Sequence, residues 1–224
     1  DAGAESSRPG SKPISDQEEL DKLIPVISLL VKNFDVPVSV DTYKPVVAEE
    51  ALQAGAKIIN DITGLQKFPE MAEVIARAGA GVILMHMQGT PLTMQKNPSY
   101  RNVLNEICEF LVVSIKIAET AEIYPGQIAI DPGIGFGKTK MHNLEILRNL
   151  ETFLELKRPI LLGVSRKSFI GDILNLPPEE RLEGSLAATV MGVAKGASII
   201  RTHDVKSTRN AVRVAEAIIK GESS

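Results

Sequence analysis

The sequence predicts an α/β protein with parallel strands, and most simply a TIM (β/α)8 barrel. Short apolar runs alternate with longer helical patterns along the 224 residues, an order typical of parallel strands joined by right-handed crossovers. Six full strands and the tail of a seventh are recognisable. We therefore expect strand 1, helix 1 and most of strand 2 to lie upstream of Asp1, which would bring the chain to the usual barrel size of about 250 residues.

The composition is that of an ordinary globular protein, with 44% hydrophobic residues, 24% charged residues and a formal net charge of −3. This balance gives no support for nucleic-acid binding, and no apolar run reaches the ~18 residues of a membrane span. The single cysteine, Cys108, lies in a helical apolar pattern, which predicts core packing rather than catalysis. One cysteine and no signal peptide predict a cytoplasmic location.

The strand predictions rest on short apolar runs bounded by turn residues. The run at 160–164 is apolar on both faces, as in a strand that is buried on both sides of a sheet. It passes into Ser165, Arg166, Lys167 and Ser168 with no turn residue between. The predicted strands are residues 36–40, 57–59, 81–85, 127–130, 160–164 and 197–200.

The helix predictions rest on capping signals and on apolar residues at helical spacing. Ser15 and Glu18 form a capping box, and Pro25 is expected to kink or restart the helix that follows. Pro45 opens a second helix, and Gly55 closes it. Further helices are predicted at residues 71–78, 100–123, 143–156, 179–195 and around 211–218. Four residues of the helix at 179–195 are expected to face inward: Leu182, Leu186, Val190 and Val193.

An open doubly wound sheet is the alternative fold. It would normally carry a glycine-rich dinucleotide fingerprint after its first strand, and none is visible here. The glycine-rich residues 133–139 do not form a phosphate loop, because that motif needs glycine five places before Gly137, where Pro132 stands. We expect them to form a flexible loop that carries Phe136 over the mouth of the barrel.

Polar residues of mixed type stand at the ends of the predicted strands. They are Asp41, Asn60, His86, Asp131, Lys167 and Arg201. The carboxyl ends of parallel strands meet at one mouth of a barrel, where such enzymes keep their active sites. The opposite strand ends lack this pattern, which favours a functional site over a merely solvated rim.

These residue types predict a planar heterocycle rich in N–H groups, with an anion attached. Carboxylates and amides exchange hydrogen bonds with such a ring, whereas Arg8, Lys167, Arg201 and His203 supply positive charge for a phosphate-like group. Arg201 can also lie flat on the ring. No Ser–His–Asp spacing or cysteine nucleophile indicates covalent catalysis, and the three histidines do not form a zinc pattern.

Seven short motifs together resemble the dihydropteroate synthase family, in that family's order and over nearly the whole chain. They are residues 5–10, 39–42, 60–61, 85–91, 131–139, 165–168 and 201–204. The resemblance implies one pterin-binding TIM-barrel domain over residues 1–224. Such an enzyme joins p-aminobenzoate to dihydropterin hydroxymethyl pyrophosphate, releases pyrophosphate and uses Mg²⁺. It also implies a homodimer, which we expect to form through residues 179–195 and 208–220.

The resemblance assigns roles to individual side chains. The pterin would be bound by Asp41, Asn60, Met85, Asp131, Lys167 and Arg201. The pyrophosphate would be bound by Arg8 and His203, and p-aminobenzoate by Ser7, Pro9, Phe136 and Ser168. The residues implied in catalysis are Lys167, Asp131, Arg201 and His203.

The asparagine that helps to hold Mg²⁺ in this family belongs to a first loop expected upstream of Asp1, so no metal ligand is predicted within this sequence. Two other functions stay open at this point. One is a methyltetrahydrofolate-dependent methyltransferase on a related barrel, against which the motifs at 165–168 and 85–91 argue. The other is a pterin-binding module without catalysis, which would require the first loop to be absent.

Overall fold

Six parallel strands form one sheet in the computed structural model, which describes residues 1–221. The strands are β1 (Ser39–Asp41), β2 (Ile58–Asp61), β3 (Gly81–Met85), β4 (Ile128–Asp131), β5 (Ile160–Leu162) and β6 (Ala197–Ile200). Their order in the sheet follows the chain, as right-handed crossovers require. Ala2 adds a parallel bridge to Val40 beyond β1, at the place of the predicted strand tail. All six predicted strands are confirmed, and β1 and β5 are shorter than their apolar runs.

Helices connect these strands. They are α1 (Asp16–Asn33), α2 (Pro45–Gln53), α3 (Met71–Arg77), α4 (Val103–Thr120), α5 (Lys140–Arg148), α6 (Ser168–Leu174), α7 (Leu182–Ala194) and α8 (Val205–Lys220). The short helix α6 was not predicted, because its seven residues offer too little periodicity. In this described part of the chain, none of the helices combines the length and apolarity needed to cross a bilayer.

Two helix predictions differ from the structure in detail. Pro25 does not restart α1, which runs through it as one element of 18 residues. The proline costs this helix one backbone donor. The predicted helix at 143–156 is two elements, because Asn149 leaves the helical region at φ −123° and ψ 33°, and a 3₁₀ helix then covers Leu150–Leu156.

The sheet is strongly curled, which agrees with a barrel and not with an open doubly wound sheet. The evidence is a contact between its two edge strands: Arg201, just after β6, places Nη1 3.4 Å from Oδ2 of Asp41 at the end of β1. The same nitrogen lies 3.3 Å from the Asp1 carboxylate. Strands that lie five places apart in the sheet therefore end around one central space.

The core has two layers, because successive side chains of a strand point to opposite faces of the sheet. A small inner cluster on the concave face contains Ile83, Ala129 and Leu161. The larger outer core lies between the sheet and the helices. Its strand residues include Val40, Ile59, Leu84, Ile130 and Leu162. The inner cluster forms the floor beneath the polar strand ends.

The face of α7 that packs on the sheet is not the predicted one. The residues predicted to face inward are only half-buried: Leu182, Leu186, Val190 and Val193. The buried residues of α7 are Ser185, Thr189 and Gly192. A Cβ atom at Gly192 would collide with the Leu162 side chain of β5. Small residues on this face let the helix approach the sheet closely, and apolarity alone did not reveal that.

We expect Gly192→Val to lower the free energy of unfolding by about 1–3 kcal/mol, because the added carbons must displace the fully buried Leu162. Ala187→Val on the exposed side of the same helix is the control and should change it by roughly 0.6 kcal/mol or less. Urea denaturation measures both. Equal effects of the two substitutions would show that the close packing of α7 against the sheet does not contribute measurably to the free energy of unfolding.

Candidate active site

The strand register brings four of the predicted site residues onto the concave face of the sheet. Asp41 pairs with Asn60, and Met85 pairs with Asp131, each pair at the carboxyl ends of neighbouring strands. Asn60 also lies opposite Ile83 of the inner cluster, which fixes its side chain to the same face. Asn60, Met85 and Asp131 are at most 2% exposed. The mouth therefore contains two carboxylates, one amide and one thioether on one face, with Met85 and Asp131 two residues further along their strands than the level of Asp41 and Asn60.

Burial dominates the electrostatics of the two carboxylates. It raises the pKa of Asp41 to about 6, and the nearby Arg201 guanidinium offsets only part of this effect. Burial also raises the pKa of Asp131, although Arg201 and the backbone N–H of Gly133, which donates to Oδ1 at 2.7 Å, favour its charged form. A ligand that donates hydrogen bonds to these carboxylates would stabilise their charged forms and lower their pKa values.

The side chain of Asn60 is the least satisfied polar group of the mouth. It is fully buried, and neither Nδ2 nor Oδ1 has a hydrogen-bond partner within the described chain. An unpaired buried amide costs about 1–3 kcal/mol, so such groups in native proteins call for an explanation. Asn143, also buried, shows the usual case: Oδ1 accepts from Gly135 N, and Nδ2 donates to Thr139 O. A ligand with a donor and an acceptor would satisfy Asn60.

Lys167 reaches the mouth from a turn, which corrects the prediction that a strand runs into it directly. Strand β5 ends at Leu162, and Lys167 N then donates to Val164 O at 3.2 Å. Arg166, inside this turn, has a left-handed φ of +58°. The ammonium of Lys167 lies 4.2 Å from the centre of the Phe136 ring. Burial and the charge of Arg201 lower the pKa of Lys167 to about 8.

Side chains from later in the chain support this turn. Arg166 makes a two-pronged ion pair with Asp204, with distances of 3.1 and 2.7 Å. Arg181 donates to the carbonyl oxygens of Arg166 and Lys167, and the Ser185 hydroxyl accepts from Arg166 N at 2.9 Å. The sequence reasoning predicted none of these supporting contacts. The partners lie 14 to 38 residues apart in sequence, so no local pattern identifies them.

His86 does not point into the mouth, and this part of the strand-end prediction is wrong. Leu84 faces the outer core, so His86, two residues further on, also faces the helices, with its ring 4.9 Å from that of Phe110. Its Nδ1 lies 2.9 Å from Nζ of Lys138. Burial and the Lys138 charge lower the pKa of His86 to about 2, so this ring is neutral.

Lys138 is a buried residue near the site that the sequence reasoning missed. It is 3% exposed, and its ammonium also donates to Phe136 O at 2.9 Å. Burial and the Lys167 charge lower its pKa to about 7, against the attraction of Asp131. Its place in the rejected phosphate-loop pattern was the one available signal. It fastens the β4–α5 loop to the end of β3.

Phe136 is packed inside the protein, whereas a flexible loop over the mouth was predicted. It is 5% exposed and belongs to a second small cluster with Met85, Tyr43, Ile62 and Met94. The loop around it is tied down, since Gln95 donates to Gly135 O and Tyr100 donates to Gly137 O. The ring therefore forms part of the wall above Met85.

The remaining predicted residues stand at the rim. Arg8, Pro9, Ser168 and His203 are exposed, and Ser7 is half-buried. His203 Nδ1 lies 2.9 Å from Ser165 Oγ. Partial desolvation of its ring and the Arg166 charge lower the pKa of His203. A small cleft lies beside Asp41 at the start of the loop that carries Ser7, and its walls are Glu5, Ser6, Ser7, Glu19, Asp41, Thr42, Tyr43 and Ile62.

No metal cage is formed by the side chains that the structure describes. Among residues 1–221 there is no group of three or more histidine, cysteine, aspartate or glutamate side chains with the spacing for a metal ion. Mg²⁺ commonly binds through one or two carboxylates, substrate phosphates and waters.

The fold and its polar strand ends define an enzyme of the parallel α/β class with its site at the carboxyl ends of the strands. Comparison with protein families gives a match over residues 1–203 to the family described as pterin binding enzyme. Dihydropteroate synthase of Escherichia coli (strain K12) is 46% identical over 224 residues, or 100% of this chain and 79% of the relative. This chain belongs to the dihydropteroate synthase family, whose members are transferases.

Two solved structures show how far the fold agrees. The dihydropteroate synthase of Yersinia pestis with a sulfonamide drug complex has a TM-score of 0.94 and 44% identity, covering 98% of this chain and 79% of that one. The enzyme of Thermus thermophilus in complex with 4-aminobenzoate has a TM-score of 0.90 and 43% identity. That match covers 96% of this chain and 82% of the Thermus chain.

We expect Asn60→Leu to raise the free energy of unfolding of the ligand-free protein by about 1 kcal/mol, because it removes an unpaired buried amide at similar volume. Asn143→Leu is the matched control: both ends of that amide are paired, so its loss should cost about 1–3 kcal/mol. Urea denaturation without ligand measures both. A similar loss for the two variants would mean that Asn60 is satisfied in the free protein.

Proposed function

We propose that this chain is a dihydropteroate synthase that joins p-aminobenzoate to (7,8-dihydropterin-6-yl)methyl diphosphate, giving 7,8-dihydropteroate and pyrophosphate. The single observation that carries this proposal is the unpaired, fully buried Asn60 amide, which shares one face of the sheet with the half-buried carboxylate of Asp41 and the buried carboxylate of Asp131. A pterin ring offers donors to both carboxylates and an edge with donor and acceptor for the amide. Family membership supports the same substrate class.

The deep part of the site binds the pterin in this proposal. Asp41, Asn60 and Asp131 hydrogen-bond to the ring edge, and Met85 packs on its face. Arg201 stacks on the ring and balances Asp41, from which it lies 3.4 Å. Lys167 contacts the pterin with its ammonium. Because these groups are held by strands and a braced turn, the ring meets a site that needs little rearrangement.

The cations around the mouth assist the departure of pyrophosphate. Arg8 and His203 bind the diphosphate. The negative charge of the diphosphate raises the pKa of His203, which favours the protonated ring. With its charge neutralised, pyrophosphate leaves as the C–O bond to the pterin methylene breaks, and the pterin stabilises the resulting cation. The carboxylates Asp41 and Asp131 favour that positive charge.

The outer part of the site binds p-aminobenzoate. Ser7, Pro9, Phe136 and Ser168 shape this region, and a small cleft lined by both Ser7 and Asp41 brings its edge next to the pterin-binding part. The amine nitrogen attacks the methylene carbon and forms the new C–N bond, after which its extra proton passes to solvent or to the departing pyrophosphate. No strong general base is required, because the carbon is already cationic.

The proposal also includes Mg²⁺ as a cofactor and the cytoplasm as the location of the protein. The described side chains do not build a metal cage, so we expect Mg²⁺ to arrive with the diphosphate, whose oxygens it binds when present. None of the steps above runs through the metal.

The free thiol of Cys108 is half-buried against the outer core, which suits a reducing compartment.

Incorporation of labelled p-aminobenzoate into dihydropteroate tests this function, and Lys167→Ala should lower kcat/KM by at least ~100-fold with an unchanged melting curve.

Because the pKa of Lys167 is lowered to about 8, its charge disappears above that pH, and kcat/KM should fall as pH rises through 8. Lys167→Arg keeps the charge and should lose this decline. Lys140→Ala, an exposed lysine, is the control. Full turnover by Lys167→Ala would refute the site, and no labelled product from the parent protein would refute the function.

We also propose a homodimer through α7 and α8. Support comes from large apolar side chains that are more than half exposed on these helices: Met191, Val214, Ile218 and Ile219. Exposed apolar groups concentrated on neighbouring helices favour association. Light scattering should give twice the chain mass at micromolar concentration, and Ile218→Glu with Val214→Glu should halve it. A monomer throughout this range would contradict the proposal.

A further inference from the structure

The loop between Glu5 and Ile14 carries Ser7 and Arg8 and has no regular secondary structure. Both of its ends meet at one buried side chain, Lys44, which follows β1. The ammonium of Lys44 lies 2.8 Å from Oε2 of Glu5 at the start of the loop. It also donates a hydrogen bond of 2.6 Å to the carbonyl oxygen of Ile14 at the end of the loop.

Three further contacts complete this arrangement, which we call the Lys44 anchor: Lys44, Glu5, Glu19, Tyr43 and Ile14. Glu19 of α1 is 1% exposed and places Oε2 2.8 Å from the Lys44 ammonium. The Tyr43 hydroxyl donates to Glu5 Oε1 at 2.7 Å, and Ile14 N donates to Glu5 Oε2 at 3.1 Å. The anchor therefore closes the base of the loop and attaches it to α1 and to the end of β1.

The charges of the anchor are not explained by stability. Placing Glu5, Glu19 and Lys44 in the interior removes them from water, and a buried ion pair is often no more stable than apolar residues of similar size. Burial opposes the charge of Glu5, yet its contacts with Lys44 and Tyr43 lower its pKa. The Glu19 carboxylate has no hydrogen-bond partner within the described residues, so its 2.8 Å contact with the Lys44 ammonium is what offsets its burial. Such a charge cluster fixes geometry, because Lys44 can meet both carboxylates and the Ile14 carbonyl in only one arrangement.

The anchor also links the two parts of the site. Lys44 stands three residues after Asp41, and its backbone N–H donates to the Thr42 hydroxyl at 3.3 Å. Far from the anchor, the tip of the loop makes a backbone hydrogen bond to a neighbouring loop, from Gly10 N to Pro91 O at 2.9 Å. A loop that is fixed at its base and lightly held at its tip keeps the exposed Arg8 within reach of the mouth.

We propose that Lys44 is a positioning residue, which holds the Ser7–Arg8 loop in place for p-aminobenzoate and pyrophosphate. This inference rests on the proposed function. Lys44 touches neither substrate; it acts through Glu5 and Ile14 on the residues that do. Its loss should therefore impair the outer part of the site and leave the deep pterin part, which is built from strand ends, largely intact.

Hydrogen exchange of the ligand-free protein tests the anchor independently of activity. Lys44→Met should speed exchange of the amides in residues 6–12 by roughly tenfold or more, because the loop then opens locally. Lys22→Met, which breaks an exposed ion pair with Glu18 on α1, is the control and should leave them unchanged. If Lys44→Met does not fold, Glu5→Gln takes its place. The glutamine side chain has nearly the same size as glutamate and keeps the packing, while the ion pair is lost.

Steady-state kinetics test the consequence for the site. The KM for p-aminobenzoate should rise about tenfold in Lys44→Met or Glu5→Gln. The KM for the pterin diphosphate should rise less, by roughly threefold, because the loop contributes Arg8 to the diphosphate while the strand ends still bind the ring. Lys44→Arg keeps the charge and should restore most of the difference. Unchanged exchange, or equal changes in both KM values, would overturn the inference. Faster exchange in a protein whose parent makes no dihydropteroate would leave the anchor standing and refute the proposed function.

Discussion

The site depends on one constraint: polar groups are buried at the carboxyl ends of parallel strands without enough protein partners to satisfy them. Asp41, Asn60 and Asp131 stand together because the register of neighbouring strands fixes them on one face. Burial raises the pKa of both carboxylates, and the Asn60 amide has no partner within the described residues. Such an arrangement persists only because the apolar layers beneath and behind it hold the strands rigidly.

The site also requires a cation in the mouth. The protein supplies it with Lys167, which is positioned by a turn rather than by a strand. Arg166 adopts a left-handed conformation that costs a non-glycine residue on the order of 1 kcal/mol. The ion pair with Asp204 and the hydrogen bonds from Arg181 offset this cost. Because Asp204 follows His203, the support of Lys167 and the proposed diphosphate site belong to one network.

The two substrates of the proposed reaction would meet surfaces of different rigidity. Strand ends and the braced Lys167 turn form the deep part. The outer part depends on loops, and each loop is fastened at its base by a buried lysine: Lys44 below the Ser7–Arg8 loop and Lys138 below the Phe136 loop. Buried ammonium groups suit this task, since each donates to several backbone and side-chain atoms that are distant in sequence.

The sequence by itself determined the strand order, the α/β class and most of the polar side chains that gather at the carboxyl ends of the strands. Apolar runs of strand length that alternate with helical patterns leave few topologies, and polar residues after such runs must gather at one edge. Sequence patterns are local, however, and they do not show in which direction a side chain points in the folded protein. Only the tertiary structure decided that His86 faces the helices, that Phe136 is packed rather than mobile, and that Lys167 enters from a turn. The face of α7 was also decided there, because close approach to Leu162 favours small residues over apolar ones. Lys44 and Lys138 became recognisable only through contacts across the fold, because their partners lie up to 52 residues away.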